Sequence, residues 1–235
     1  MKKIQLIVLM VMISVNSFAM NFGEITVFTR YLVNDNNADP AANHFTGVRI
    51  SSAVNIIQSN MMTETFPIEK ISTIAIVSGQ REYSLPTDTF ALQRVLIDNK
   101  LLPQKSIAKL DDDNSWQVAG DSQTPTCYYV KHTTASVIGF NVIPSTTNSV
   151  IMTIQYVAMP STLSNDSDIP FDGLTRLEPF HFGLCFGAAA LLCYQDNRSA
   201  DGDRYWLIYN SIVKNMDTTI RLTPDWQSGV SAISQ

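Results

Sequence analysis

Ile71-Ser72-Thr73-Ile74-Ala75-Ile76-Val77 is the stretch on which the fold turns. Its β-branched residues suit a pleated, half-buried strand, and Gly79-Gln80 turns the chain directly after it. Tyr83-Ser84-Leu85-Pro86 and Phe90 to Ile97 follow as a second and third strand. Asp98-Asn99 then punctuates a hairpin before Leu101-Leu102. The polar segment from Gln104 to Asn114 has room for one helical turn. Cys127 to Lys131, Val137 to Val142 and Val150 to Val157 are further short strands, each set off by turn-forming residues. Strands at this spacing indicate a small antiparallel sandwich or barrel over residues 67–163.

On both sides of this stretch the period is helical. Val27, Phe28, Tyr31 and Leu32 read as one face of a short helix, which Asn34 to Asn37 and Asp39-Pro40 break. Ile50, Ala53, Val54, Ile57 and Met61 form a second stripe, with Arg49, Ser52, Asn55 and Gln58 on its polar side. After Ser164 to Pro170, Pro179 suits the first turn of a third helix. Phe180, Leu184, Ala188, Leu191 and Leu192 run down one of its faces. Asp201-Gly202-Asp203 offers an N-cap for a fourth helix carrying Tyr205, Trp206, Tyr209, Ile212, Val213, Met216 and Ile220. The expected class is α+β. Helices over 20–66 and 164–222 form one bundle, because neither pair alone buries both stripes, and the antiparallel β domain is inserted between them. Residues 223–235 read as a tail.

Composition narrows the role. Apolar residues make up 45% of the chain and charged residues 16%, below the quarter usual for a free-standing soluble domain. The remaining surface is polar and uncharged, as where subunits pack against one another, and equally in β-rich secreted proteins. A net charge of −5 without a basic patch argues against dedicated nucleic-acid binding. Three cysteines, Cys127, Cys185 and Cys193, make no disulfide framework and read as reduced, buried thiols.

Residues 1–19 stand apart. Lys2 and Lys3 precede an apolar run from Ile4 to Val15, and Ser17-Phe18-Ala19 has the form of a signal-peptidase site. Met20 follows at once, so the segment reads as a cleaved leader or as a start assigned too far upstream.

Catalytic constellations are sparse. His44, His132 and His181 are scattered, and His181 and Cys185 share i, i+4 spacing without two further metal ligands. Asp35-Asn36-Asn37-Ala38-Asp39 resembles the start of a calcium loop, but Pro40 stands where Gly is needed and Thr46 where Glu is needed. Asp111-Asp112-Asp113 and Asp166, Asp168 and Asp172 read as solvated loops or subunit contacts rather than acid/base pairs. Phosphate loops, nucleophile elbows and CxxC pairs do not occur. No enzyme, metal or cofactor is expected.

The order of motifs resembles one family. Tyr83, Leu85, Pro86 and Asp88 form a Y-x-L-P-x-D strand, and Asp98-Asn99-Lys100 leads a short hairpin. Pro125 to Val130, Phe140 to Pro144, and Tyr156 to Pro160 follow in order, then an apolar Ala/Leu helix and an aromatic last helix. Asn55 falls in the middle of an opening helix. Over roughly residues 24–222 the chain is similar to the head-to-tail adaptor proteins of tailed bacteriophages, of the tail tubular protein A type. Asn99 replaces the usual Gly, and Asn tolerates the positive φ needed there. The leader is not a feature of that family, whose members assemble in the cytoplasm.

The resemblance implies a ring, commonly of twelve copies, in the virion neck. Portal protein would lie above it and a tail tube or nozzle protein below, with DNA passing through the lumen without specific binding. The candidates for subunit or bundle packing are Gly183, Gly187, Tyr205, Trp206 and Tyr209. The alternative is an exported, periplasmic or secreted β-rich binding or envelope protein, resting on residues 1–19.

Overall fold

The computed structural model describes residues 19–35, 43–66, 68–112, 125–132, 136–141 and 150–222. The leader, the centre of the calcium-like loop, Asp113, Val142 to Pro144 and the tail lie outside the described residues. The described chain is α+β and falls into two compact units. Among the described residues, one takes 19–65 and 160–222, and the other takes 66–159.

The first unit is helical. Helix α1 (Phe22–Leu32) starts at a capping box: Asn21 Oδ1 accepts from Glu24 N, and Glu24 Oε2 accepts from Asn21 N, both at 2.9 Å. Phe22 N donates to Asp168 O and Gly23 N to Asp166 O, which fixes how this end docks. A Cβ on Gly23 would lie 3.0 Å from that of Asp166. With the start so anchored, Phe22, Ile25 and Thr29 turn inward, while Val27 is 68% and Tyr31 61% exposed. Of the expected stripe, Val27 and Tyr31 thus face outward, while Phe28 and Leu32 are half-buried. Two overlapping stripes fit a helical period here, and the docking of the N-terminal end selects the other.

Helix α2 (Gly47–Thr65) buries Ile50, Ala53, Val54, Ile57 and Met61 as its spacing predicts. Its polar side departs from expectation, since Gln58 is buried as well. Gln58 Nε2 donates to Ser161 O at 3.1 Å, and its Oε1 accepts from Phe171 N at 3.0 Å. Asn55 does the same for Leu163. The side-chain amides satisfy the backbone of a segment that has no ladder of its own.

Pro179 lies inside a 3₁₀ segment (Thr175–Phe180), not in the first α turn, and helix α3 (His181–Gln195) begins after it. Gly183 to Ala190, Leu192 and Cys193 are all buried, so α3 is the central helix rather than one with a single apolar face. It packs against α1, α2 and helix α4 (Ser199–Leu222). The 21-residue stretch Thr175–Gln195 is apolar and long enough to cross a bilayer, but 72% of its most apolar window is buried inside the protein, as in a core helix. Helix α4 starts two residues before the expected Asp201 cap, leaving Asp201 in its first turn, where a carboxylate suits the helix dipole. Gly202 meets Tyr194, whose ring lies 2.7 Å from where a Cβ would be.

The second unit holds two antiparallel sheets. Strands β1 (Glu69–Ile76), β7 (Val150–Ala158), β3 (Thr89–Ile97) and β4 (Lys100–Leu101) lie side by side in that order. Strands β2 (Glu82–Ser84), β6 (Ser136–Phe140) and β5 (Tyr128–His132) form the other sheet. A short helical segment, Ile107–Asp112, packs Leu110 and Ile107 against Cys127 and Tyr129. Met152, Ile154 and Tyr156 line the buried face of β7.

Candidate assembly surfaces

Of the residues with catalytic potential, His181 and Cys185 are absorbed by the fold, whereas His44 is exposed. His181 is fully buried; its Nδ1 accepts from Met20 N at 3.0 Å, and burial depresses its pKa to about 4. At neutral pH it is an uncharged acceptor. The Cys185 thiol donates to His181 O at 3.8 Å, and burial pushes its pKa up. This i, i+4 pair is therefore a packed pair of neutral groups. All three cysteines are buried, and none is in a disulfide. Among the described residues, no group of three His, Cys, Asp or Glu side chains gathers as a metal site does.

Asp35, the first residue of the calcium-like loop, spends its carboxylate on the protein. It pairs with Arg30 at 3.0 Å and accepts from the backbone N–H of His44 and of Phe45. Arg30 also donates to Phe45 O at 2.9 Å. The carboxylate closes the connection between α1 and α2. His44 Nε2 contacts Asp196 at 2.9 Å, and Asp196 pairs with Arg198. Asp168 accepts from Ser164 N at 2.7 Å and Asn165 N at 2.8 Å, bonds that hold its pKa below the usual carboxylate range. Asp172 accepts from Ser161 N at 2.8 Å. The acidic loop is a set of backbone caps.

The expected packing residues lie in and around the helical interior. A Cβ on Gly187 would fall 2.7 Å from Ile57 and 2.9 Å from Tyr209; one on Gly183 would fall 3.0 Å from Met61 and 3.1 Å from Ile212. The two glycines let α2 and α4 approach α3 closely. Tyr209 is buried, and its ring lies tilted against that of the half-buried Trp206, with centroids 4.8 Å apart. Tyr205 OH donates to Leu32 O at 2.7 Å, tying α4 to the end of α1.

The motif residues of the β unit hold its turns. Tyr83 OH donates to Val77 O or Gln80 O and accepts from Val77 N at 3.0 Å, which locks the turn after β1. Leu85 N donates to Ser136 O, and Pro86 O accepts from Thr89 N. Asp88 pairs with Lys70 at 2.9 Å and accepts from Tyr156 OH at 3.1 Å. Asp98 and Asn99 have φ of 50° and 61°, the pair of positive values that a two-residue hairpin of matching twist requires. Half-buried Pro160 follows the end of β7 and opens the segment held by Asn55 and Gln58. Sequence reasoning missed Gly139: a Cβ there would lie 2.2 Å from the Tyr129 ring. A lone Gly within a strand was the available signal.

Several large apolar side chains also face outward. Val27 and Tyr31 on α1 flank Phe28, whose ring meets Phe182 edge-on at 5.6 Å. Leu207 on α4 is 70% exposed. In the β unit, Ile71 and Ile151 are exposed on one sheet face. A model of the family described as SU10 adaptor protein matches residues 20–230. No curated protein matches the chain.

Proposed function

The chain belongs to the SU10 adaptor family of bacteriophage structural proteins, and from that premise we propose that it is a ring subunit of the head-to-tail connector. The ring docks beneath the portal protein, joins it to the tail tube or nozzle, and leaves a channel through which DNA is ejected. The family match over residues 20–230 is the observation that carries this reading. The surface supports it. Val27, Tyr31 and Leu207 are large apolar side chains left outside a well-filled helical core, and aromatic and aliphatic residues of this kind anchor subunit contacts. A net charge of −5 suits a conduit in which phosphates slide rather than bind.

The role is geometric and non-catalytic. His181 and Asp35 serve as internal hydrogen-bonding groups, and Asp168 caps its own loop. Twelve copies is the number the family resemblance implies.

Native mass spectrometry and electron microscopy of the expressed chain, alone and with its cognate portal protein, test the proposal. Closed rings, alone or templated by the portal, are expected. A monomer that neither closes into rings nor binds portal protein overturns it.

A further inference from the structure

Strand β1 ends its sheet, and its outer edge has no partner strand among the described residues. Across the ladder with β7, Ala158 N donates to Ile68 O at 2.9 Å. Antiparallel pairs alternate, so Ser72 and Ile74 turn their backbone groups toward β7, whereas Glu69, Ile71, Thr73 and Ala75 turn theirs away. Those four residues are exposed. Pairing runs from Glu69↔Val157 to Ile76↔Val150 without a bulge, and the strand contains neither Pro nor Gly. Among the described residues, no strand pairs with this edge. Natural proteins blunt long flat edges with bulges, prolines or charges. Here Glu69, the one charge in the outward set, is bonded to Gln93.

The edge is complementary to itself in one orientation. A parallel, in-register partner would set Glu69 on Glu69 and Lys70 on Lys70, and like charges directly opposite are destabilising. An antiparallel copy centred on Thr73 sets Thr73 against Thr73 and Ile71 against Ala75, with no like charges opposed. It also carries the outer-face patch of Ile71 and Ile151, 67% and 51% exposed, across the junction.

We propose that two copies of this chain join antiparallel along β1, making one continuous sheet from two four-stranded sheets. The contact is two-fold and isologous, whereas a closed ring of many subunits uses head-to-tail contacts. The dimer is therefore a form of the unassembled subunit. It covers an edge that would otherwise template aggregation.

Sedimentation velocity of the purified full chain over a concentration series, with hydrogen exchange of β1, tests this. A dimer that grows with concentration is expected, with the amides of Ile71, Thr73 and Ala75 protected only in the dimer. Thr73→Pro removes an outward N–H at a position where an edge strand tolerates proline, and Thr73→Lys opposes two ammonium groups at the axis. Both are expected to abolish the dimer and the added protection while circular dichroism stays unchanged; Val27→Lys is expected to leave the dimer intact. A chain that stays monomeric throughout, or a dimer that survives both Thr73 substitutions, overturns the proposal. Rings forming on the portal from a strictly monomeric chain would sink the dimer and leave the connector reading standing. A dimer without portal binding would do the reverse.

Discussion

The side-chain amide of Asn55 makes both hydrogen bonds of a strand-like pair with the backbone of Leu163, a residue 108 positions away. Its Nδ2 donates to Leu163 O at 3.0 Å, and its Oδ1 accepts from Leu163 N at 2.8 Å. A helical side chain here substitutes for a missing ladder, so the segment returning from the β unit is fixed against α2. Asn55→Leu leaves both Leu163 groups unpaired and is expected to cost at least about 2 kcal/mol, given about 1–3 kcal/mol for each unsatisfied buried group. Asn55→Asp keeps the acceptor but sets a carboxylate against a carbonyl, and should cost at least as much. Urea unfolding of the two variants is the check.

Gly139 faces Tyr129 across the β5–β6 pair, and the ring occupies the space a side chain would need. Gly139→Ala is expected to destabilise the β unit by about 1–3 kcal/mol through overpacking. In Tyr129→Leu/Gly139→Ala the two penalties should be less than additive, because one change removes the clash that the other creates. A double-mutant cycle in thermal unfolding reads this directly.

His181 predicts an acid-sensitive window. Its pKa falls from 6.5 to about 4 on folding because burial disfavours the imidazolium. The unfolded chain therefore takes up a proton below pH about 6.5 that the folded chain refuses until about pH 4, so stability drops as pH falls through that window. The loss approaches about 3 kcal/mol at the acid end, because each pH unit crossed inside the window costs about 1.4 kcal/mol. His181→Leu should flatten the window, although it forfeits the bond from Met20. Denaturant midpoints measured between pH 7 and pH 4 test this.

Asn99 holds φ at 61° in the β3–β4 hairpin. Asn99→Ala is expected to cost about 1 kcal/mol, whereas Asn99→Gly should be neutral or slightly stabilising, since only the alanine is strained by the left-handed backbone. Melting temperatures of the pair should separate in that order.

For assembly, Val27→Glu combined with Tyr31→Glu places charge on the outer face of α1 without touching Ile25 or Thr29 beneath it. The expected outcome is an unchanged unfolding midpoint with loss of ring or portal association, because rim and core contacts lose affinity when an apolar anchor is charged. Co-sedimentation with portal protein measures it. Unimpaired binding would remove the α1 face from the contact.

The elements and much of their order are legible in the residues alone. Alternation and β-branching in Ile71 to Val77, the Asp98-Asn99 turn and the Ile50 to Met61 stripe are local signals, and local backbone chemistry decides them. The adaptor resemblance is legible there too, since it rests on motif order. Tertiary structure decided which of two stripes α1 buries, and turned the polar Asn55 and Gln58 into internal clamps. It likewise decided that α3 buries most of its circumference, from Gly183 to Ala190 without a break. A helical period says that a face can be buried; only the partner surface, brought from a distant part of the chain, says which face is.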